Sequence, residues 1–183
     1  MTRIDYGLNS YKTALKRKKP SNSCVKFFEK FKGNRVLDYG CGFGSDTQFL
    51  RREGVDCTGF DPYILGFKAA PVGKFDVVFL NNVVSTLPDP TNVLRAAWAY
   101  VKVGGSMIIV ARNESEVVQT LRKVDWVPHG KGWVTNWETY VQGHTPSTLT
   151  NLMLDSGIGN FRIEDVGQTS YCHLIIKKVK KDE

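Results

Sequence analysis

The sequence lacks any apolar window long enough to span a lipid bilayer. Its first residues, MTRID, also lack the apolar stretch of a secretory signal peptide. Both absences argue against a membrane-embedded or exported protein. We therefore expect a soluble, cytoplasmic protein with no membrane partner.

Paired cysteine motifs are absent as well. The cysteines show no CxxC spacing and no histidine partner at the distance that a zinc finger requires. This pattern predicts neither a metal site nor a disulfide framework, and it favours a reducing, intracellular setting. The four cysteines are Cys24, Cys41, Cys57 and Cys172.

Acidic residues are outnumbered, since 25 Lys and Arg oppose 18 Asp and Glu and give a formal charge of +7. The resulting pI near 9.2 favours a polyanionic partner such as DNA or RNA, and a purely solubilising role is equally consistent with it. Terminal charge runs are often solvated tails. Much of the excess lies in two such runs, Lys12, Lys16, Arg17, Lys18 and Lys19 near the start and Lys177, Lys178, Lys180 and Lys181 near the finish.

What the sequence does contain is an alternation of strand and helix patterns within 183 residues, the size of one domain. Three short apolar runs predict strands: NRVLDY (34–39), VDCTGF (55–60) and FDVVFL (75–80). The third is almost continuously apolar, as in parallel strands that are buried on both faces. A glycine turn and the segment SDTQFLRREG, which predicts a helix ending at Gly54, join the first two runs.

The same alternation continues to the end of the chain. TNVLRAAWAYVKVGG predicts a helix closed by Gly104 and Gly105, followed by the strand SMIIVA and by helices over 115–124 and 147–155. FRIEDV and YCHLIIKKV predict an antiparallel hairpin on the sheet edge. The prediction is an α/β fold with a doubly wound, mostly parallel sheet.

We divide this single predicted domain, residues 1–183, into three parts. They are a basic N-terminal segment (1–33), a cofactor-binding core (34–112), and a substrate-side loop with the C-terminal hairpin (113–183). The least regular stretch is 126–145, and a connection of that length is more often functional than empty.

The turn after the first predicted strand reads GCGFG. Gly40, Gly42 and Gly44 permit a positive φ and leave room for a ligand to touch the backbone, while Asp46 and Thr47 are suited to capping the next helix. A dinucleotide fingerprint needs GxGxxG, but here Ser45 occupies the position of the third glycine in a GxGxG pattern. Ligands of open α/β sheets bind beyond the carboxyl ends of the strands, where this turn lies.

Two acidic residues specify the ligand further. Asp61 follows the second predicted strand, where a carboxylate accepts hydrogen bonds from both hydroxyls of a ribose. Asp38 immediately precedes the glycines and would repel a pyrophosphate, whereas it would attract a sulfonium ligand with an ammonium group. Charge therefore favours S-adenosylmethionine over a dinucleotide.

The successive segments VLDYGCGFGSD, GFDP, FDVVFLNNVVSTLPDP and VKVGGSMIIVA resemble the ordered motifs of the Rossmann-like S-adenosylmethionine-dependent methyltransferases, across residues 34–112. The resemblance implies an enzyme in which the glycine turn lines the methionine part of the cofactor, Asp61 and its neighbour hold the ribose end, and the residues after the third strand line the pocket beneath the sulfur. The cofactor-binding residues so predicted are Asp38, Gly40, Cys41, Gly42, Gly44, Asp46, Asp61, Pro62, Asn81, Asn82 and Val83.

The chain departs from that family after Asp61. Only the thirteen residues 62–74 separate Asp61 from the next strand motif, where the family usually fits a helix, a strand and an acidic residue that contacts adenine. Pro62 and Tyr63 are candidates to stack on adenine, and apolar packing is equally consistent with their types.

The sequence restricts the identity of the methyl acceptor less than that of the cofactor. No cysteine follows a proline, which argues against a cytosine C5 enzyme, and Asn81-Asn82-Val83-Val84 replaces the Pro-Pro-aromatic motif of base amino methyltransferases. YKTALKRKKPS and GWVTNWETYVQGHTPSTL, together with the turn and the FDP step, also resemble methyltransferases encoded beside bacterial DNA phosphorothioation genes. That second resemblance implies a role linked to DNA.

Candidate acceptor-side residues lie in the stretch 126–145, called here the late loop, and in the basic N-terminal segment. Aromatic side chains there can stack a base, histidines can move a proton and a lysine can contact phosphate, whereas covering the sheet edge is the alternative role. The candidates are Trp133, Trp137, Tyr140 and Lys12 for binding and His129, His144 and Tyr140 for catalysis.

Four hypotheses follow in order. The first is a methyltransferase acting on a nucleic acid or a nucleotide-like acceptor, and the second is a small-molecule methyltransferase. The third is a non-catalytic, cofactor-binding partner module of a DNA-modification system. A nicotinamide-dependent dehydrogenase is a distant fourth.

Overall fold

The computed structural model describes residues 9–180. The first eight residues of the basic N-terminal segment, and Lys181 of the C-terminal basic run, lie outside this range. The nine strands of the described chain are β1 (Arg35–Tyr39), β2 (Asp56–Phe60), β3 (Phe75–Asn81), β4 (Val101–Arg112), β5 (Val127–His129), β6 (Gly132–Val134), β7 (Tyr140–Val141), β8 (Phe161–Gln168) and β9 (Tyr171–Lys178). Its six α-helices are α1 (Asn22–Lys26), α2 (Phe28–Phe31), α3 (Ser45–Arg52), α4 (Thr91–Tyr100), α5 (Glu114–Leu121) and α6 (Pro146–Asp155).

Six strands form the central sheet in the order β2-β1-β3-β4-β9-β8. The first four run parallel, whereas β9 is antiparallel to β4 and β8 is antiparallel to β9. The predicted α/β fold, its mostly parallel sheet and its C-terminal hairpin are therefore confirmed. Because β1 and β3 are adjacent, the loops that follow them meet at one edge of the sheet.

Helices cover both faces of this sheet because successive strand residues point to opposite sides. Leu37 belongs to a buried cluster with Leu94 of α4 and Leu149 of α6. Its neighbour Val36 belongs to a second cluster with Phe31 of α2 and Leu50 of α3. The two apolar layers hold the strand ends, and hence the loops beyond them, in fixed positions.

The region after β2 is short, as predicted. Residues 62–74, all of which the structure describes, form no helix or strand. Phe67 lies within this stretch, and its ring occupies the space where Gly44 and Gly59 carry no side chain. The ring thus fills the space beside these two glycines.

One helix boundary and one loop differ from the sequence prediction. The helix predicted to extend to Gly105 ends at Tyr100, because Val101 already pairs with Phe75 as the start of β4. The stretch 126–145, predicted to be irregular, contains the small antiparallel sheet β5-β6-β7. Within residues 9–180, no helix has the length and apolar character that crossing a membrane requires.

Candidate functional site

A cleft of about 670 Å³ lies at the carboxyl ends of the parallel strands. Its size suits a cofactor together with part of a small ligand. The predicted cofactor residues that line it are Gly40, Cys41, Gly42, Asp61, Pro62, Asn81, Asn82 and Val83. The sheet brings together at this edge the residues that follow β1, β2 and β3.

The glycine turn forms one wall of the cleft. Gly40 has φ +78° and its amide donates to the Phe60 carbonyl at 2.7 Å, which ties the turn to the end of β2. A Cβ on Gly40 would collide with Val83, so this position requires glycine for space as well as for conformation. Gly44, with φ +75°, is the N-cap residue that precedes α3, and it lies against Phe67 and not against the cleft.

Cys41 lies between these glycines and faces the cleft. Burial raises the pKa of its thiol, and the nearby Asp38 and Asp61 carboxylates raise it further. The thiol therefore stays neutral at physiological pH. It contributes surface to the cleft and no thiolate nucleophile.

Asp61 lies at the rim of the turn with 8% of its surface exposed. Its carboxylate accepts hydrogen bonds from the amides of Gly42 and Tyr63, each at 3.0 Å. An ionised carboxylate has about four acceptor positions, so about two stay available for hydroxyls in the cleft. This arrangement fits a ribose held against the glycine turn.

Asp38 is buried behind the turn and does not line the cleft. Its carboxylate accepts a hydrogen bond from the Thr47 hydroxyl at 2.7 Å. Burial raises the pKa of Asp38 to about 7, and the negative charge of Asp46 adds to this shift, while the Thr47 hydrogen bond and Arg17 oppose it. A cationic ligand at the turn would favour the ionised form, and Asp38 would act on such a ligand through its electric field and not by contact.

Asp46 and Asn81 serve the fold around the cleft. The buried Asp46 carboxylate accepts from the amide and hydroxyl of Ser21 at 2.7 and 2.8 Å, from Asn81 Nδ2 at 2.9 Å and from Arg17 at 3.1 Å. Asn81 Oδ1 in turn accepts from the Ser23 hydroxyl at 3.1 Å. With these partners, both side chains anchor the N-terminal part of the chain to the ends of β3 and the glycine turn.

That part of the chain, residues 9–20, is called here the N-terminal strap. A Cβ on Gly42 would lie 3.2 Å from the Cβ of Ala14, so the strap covers the glycine turn closely. Its far end reaches the late loop. There the side-chain amide of Asn9 donates to the Glu138 carbonyl at 3.3 Å, and Lys12 Nζ lies 3.8 Å from the Glu138 carboxylate. Lys12, a predicted acceptor-side residue, is thus paired with an acid and does not line the cleft.

Asn82 follows β3 in the left-handed region, with φ +62°. Its amide donates to the Val110 carbonyl at 2.8 Å, which fixes the backbone in this conformation. Asparagine adopts this region more readily than most non-glycine residues, and positions of this kind cluster at functional sites. Asn82 and Val83 therefore present a rigid surface to the cleft.

The other half of the cleft lies beside β4, β9 and the late loop. Tyr140, a predicted acceptor-side residue, lines this half together with Tyr171 and Trp126. The Tyr140 hydroxyl donates to Gln142 at 2.9 Å, and burial raises its pKa, so it stays protonated. Trp133 and Trp137 do not line the cleft, and Trp137 is 78% exposed on the outer side of the loop.

The two candidate histidines lie away from the cleft. His144 is buried between β4 and α5, and burial lowers its pKa to about 4, partly offset by the Val84 carbonyl. It is therefore neutral at physiological pH. His129 lies in the exposed strand β5, with its ring centroid 6.4 Å from that of Tyr140. Among residues 9–180, no histidine side chain lines the cleft.

Sequence reasoning missed several residues of this site. Arg17 and Ser21 hold the strap, and Arg112 and Tyr171 line the acceptor half. Arg112 and Tyr171 end β4 and begin β9 as directly paired neighbours. For Arg112 the available signal was its position at the end of a buried strand, because side chains there project at the same edge as the glycine turn, and Tyr171 reaches that edge because β9 runs antiparallel to β4.

Comparison with known proteins supports the geometry. Residues 14–159 match the family model described as a methyltransferase domain. The ubiquinone biosynthesis O-methyltransferase of Bordetella avium is 30% identical over 107 residues, which cover 45% of this chain and 44% of that protein. Its counterpart from Psychrobacter arcticus is 26% identical over 153 residues, covering 68% and 59%. The chain thus spans about half the length of these relatives.

Solved structures share the fold at low identity. A Burkholderia thailandensis 1,6-didemethyltoxoflavin-N1-methyltransferase has a TM-score of 0.62 at 15% identity, covering 98% of this chain and 80% of that one. An S-adenosylmethionine dependent methyltransferase from Mesorhizobium loti has a TM-score of 0.59 at 14% identity, covering 85% and 96%. At the level of the family, the prediction of a methyltransferase domain is confirmed, and S-adenosylmethionine is the cofactor by which the similar Mesorhizobium loti protein is named. The chain belongs to the methyltransferase-domain family.

Proposed function

We propose that the protein transfers the methyl group of S-adenosylmethionine to a small, planar acceptor bound in the half of the cleft beside β4 and β9. The observation that carries this proposal is the aromatic lining of that half, to which Trp126, Tyr140 and Tyr171 contribute. Aromatic side chains favour flat, unsaturated ligands through stacking and edge contacts. A cleft of about 670 Å³ has room for the cofactor together with part of such a small, planar ligand.

The cofactor half supplies binding and orientation. The Asp61 carboxylate receives the ribose hydroxyls, while Gly40 and Gly42 allow the backbone to approach the methionine part. When bound, S-adenosylmethionine supplies a methyl group on a good leaving group, so the protein has only to align the acceptor with it. Alignment of two reactants contributes roughly 7–11 kcal/mol in favourable cases.

Within the described chain, the cleft offers neither a histidine nor a thiolate as a base. Tyr140 stays protonated, Cys41 stays neutral, and within the described chain the histidines lie elsewhere. Such a lining suits an acceptor atom that is already nucleophilic, for example a phenolate oxygen or a ring nitrogen. The names of the similar proteins agree with this class, since they include an O-methyltransferase and a toxoflavin N-methyltransferase.

A second candidate is a nucleotide-like or nucleic-acid acceptor. The N-terminal strap, which covers the cleft, carries Lys16, Lys18 and Lys19 in addition to Lys12 and Arg17. Basic side chains at a rim can receive phosphates. The resemblance to methyltransferases encoded beside DNA phosphorothioation genes belongs to this candidate, as does the alternative of a non-catalytic partner module.

The test is an acceptor screen with labelled S-adenosylmethionine. The panel contains phenols, nitrogen heterocycles, nucleotides, and single- and double-stranded DNA and RNA, and the readout is the release of S-adenosylhomocysteine. Methylation of a phenol or heterocycle is expected. Turnover confined to nucleotides or nucleic acid would favour the second candidate, and cofactor binding with no turnover on any acceptor would favour the partner module.

A further inference from the structure

Arg112 is the last residue of β4 and lines the acceptor half of the cleft. Its amide donates to the Ser85 hydroxyl at 2.9 Å, and its strand neighbour in β9 is Tyr171, which lines the same half. Strand pairing on one side and the Ser85 hydroxyl on the other therefore fix where its side chain starts. A guanidinium so placed is within the space that an acceptor would occupy.

The side chain of Arg112 forms an ion pair with Glu116 that a ligand can replace. Its Nη2 lies 2.7 Å from Glu116 Oε1, with 30% of the Arg112 side chain and 49% of the Glu116 side chain exposed. Exposed pairs of this kind contribute only about 0.2–1 kcal/mol. Glu116 also lies in the first turn of α5, where the helix dipole favours a carboxylate without Arg112.

Arg17, the other arginine that lines the cleft, differs in this respect. Its partner Asp46 is buried, with 4% of the side chain exposed, and carries several further hydrogen bonds. Removing a cation from a buried carboxylate costs several kcal/mol. Among the cleft-lining residues of the described chain, Arg112 is thus the arginine whose partner a ligand can replace.

We propose that the acceptor carries an anionic oxygen group, a carboxylate or a phosphate, and that this group replaces Glu116 on Arg112. Arginine binds either group through two parallel hydrogen bonds, which fixes the orientation of a flat ligand as well as its position. The ring of the acceptor then lies against Tyr171 and Tyr140, and its reacting atom faces the surface formed by Asn82 and Val83. The inference rests on the proposed function and names its substrate class.

The experiment titrates three probes into the protein saturated with S-adenosylhomocysteine, at constant ionic strength, and follows amide shifts by NMR. Benzoate and phenyl phosphate carry the two anionic groups, and benzyl alcohol is the neutral probe of similar size. The variants are Arg112→Gln and Glu116→Gln. Arg122→Gln is the matched control, because Arg122 is exposed and outside the cleft.

Arg112→Gln is expected to weaken the better anionic probe about tenfold or more, since a charged hydrogen bond is lost, and to leave benzyl alcohol unchanged. Glu116→Gln removes the competitor and is expected to strengthen that probe about twofold to fivefold. Arg122→Gln should change neither. Whichever of benzoate and phenyl phosphate binds more tightly identifies the group that the site prefers.

Equal weakening in Arg112→Gln and Arg122→Gln would show only a general effect of net charge and would overturn the inference. So would unchanged binding in both cleft variants. If Arg112→Gln fails to fold, the gain expected for Glu116→Gln still decides the matter. Failure of wild-type protein to bind S-adenosylhomocysteine would instead contradict the proposed function, because that binding step does not involve Arg112.

Discussion

Two of the buried carboxylates at the glycine turn, Asp38 and Asp46, differ in what surrounds them. Asp46 has the Arg17 guanidinium, Ser21 and Asn81 as hydrogen-bond donors, whereas Asp38 accepts from the Thr47 hydroxyl. A carboxylate with so few donors in a low-dielectric site favours its protonated form. A cationic cofactor would provide the missing positive charge.

The pKa of Asp38, raised to about 7 from an ordinary value of 3.8, predicts how stability depends on pH. Between these values the folded state binds a proton that the unfolded state has released. This group therefore makes the folded protein less stable as pH rises from about 4 to 7, by up to ~1.4 kcal/mol for each pH unit. Asp38→Asn removes that loss, so the cofactor-free variant should gain stability over wild type as pH rises to 8.

Urea unfolding at pH 5, 6, 7 and 8, without cofactor, measures this difference. Asp155→Asn is the control, because Asp155 is exposed at the end of α6. Asp38→Asn should at the same time bind S-adenosylmethionine more weakly, since the attraction for its positive charges is gone. A stability difference between Asp38→Asn and wild type that stays constant from pH 5 to pH 8 would contradict the raised pKa of Asp38.

At the scale of elements, the N-terminal strap is fixed firmly at one end and weakly at the other. The bonds of Arg17 and Ser21 are partly buried and end on the buried Asp46 carboxylate, whereas the contact of Lys12 with Glu138 is 3.8 Å long and exposed. Exposed pairs contribute little to stability. The Asp46 anchor therefore determines whether the strap covers the glycine turn.

Asp46→Asn is expected to loosen the strap, because it removes the charge that holds Arg17 and leaves a weaker acceptor for Ser21. Trypsin cleavage after Lys16, Arg17 or Lys18 should become about tenfold faster than in wild type. The matched control Asp155→Asn should cleave at the wild-type rate. Equal rates in all three proteins would show that Asp46 does not hold the strap.

The elements also differ in how far the sequence predicts them. The runs that became β1, β2 and β3 are apolar, short and bounded by turn residues, which determines their type locally. Val101 to Gly105 fits the end of a helix equally well, and only its pairing with Phe75 makes it a strand. Local helix and strand propensities do not depend on a pairing partner that lies 26 residues away in the chain.

Residues of the site whose place follows from the local sequence were predicted, and residues whose role depends on distant parts of the chain were not. The glycine turn and Asp61 follow strands directly, so local pattern was sufficient to place them at the cleft. The role of Asp46 depends on Arg17 and Ser21, which lie 29 and 25 residues away. Likewise, nothing beside His144 in the sequence indicates that β4 and α5 bury it.

At the scale of the whole molecule, the formal charge of +7 does not by itself create a nucleic-acid surface. Several of its cations already pair with acids, including Lys12, Arg17, Lys102 and Arg112. We expect DNA binding that is weak and non-specific, with a Kd of roughly 10⁻⁴–10⁻⁶ M at physiological salt. S-adenosylhomocysteine should not change it.

Fluorescence anisotropy with a labelled DNA duplex, with and without S-adenosylhomocysteine and over a range of salt concentrations, checks this expectation. A double variant, Lys18→Gln with Lys19→Gln, shows whether the strap contributes to any binding that is seen. A Kd for DNA well below 1 micromolar (~10⁻⁶ M) at physiological salt, lowered further by S-adenosylhomocysteine, would favour the nucleic-acid acceptor over the small planar one.

The central claim is that the cleft formed by the glycine turn and Asp61 binds S-adenosylmethionine. Calorimetric titration of the protein with S-adenosylmethionine, and separately with NAD, tests it most directly when repeated with Asp61→Asn and the control Asp155→Asn. One-to-one binding of S-adenosylmethionine, retained in the control, lost or weakened at least tenfold in Asp61→Asn, and absent for NAD, is the expected result. No binding of S-adenosylmethionine, or equal binding in wild type and Asp61→Asn, would contradict it.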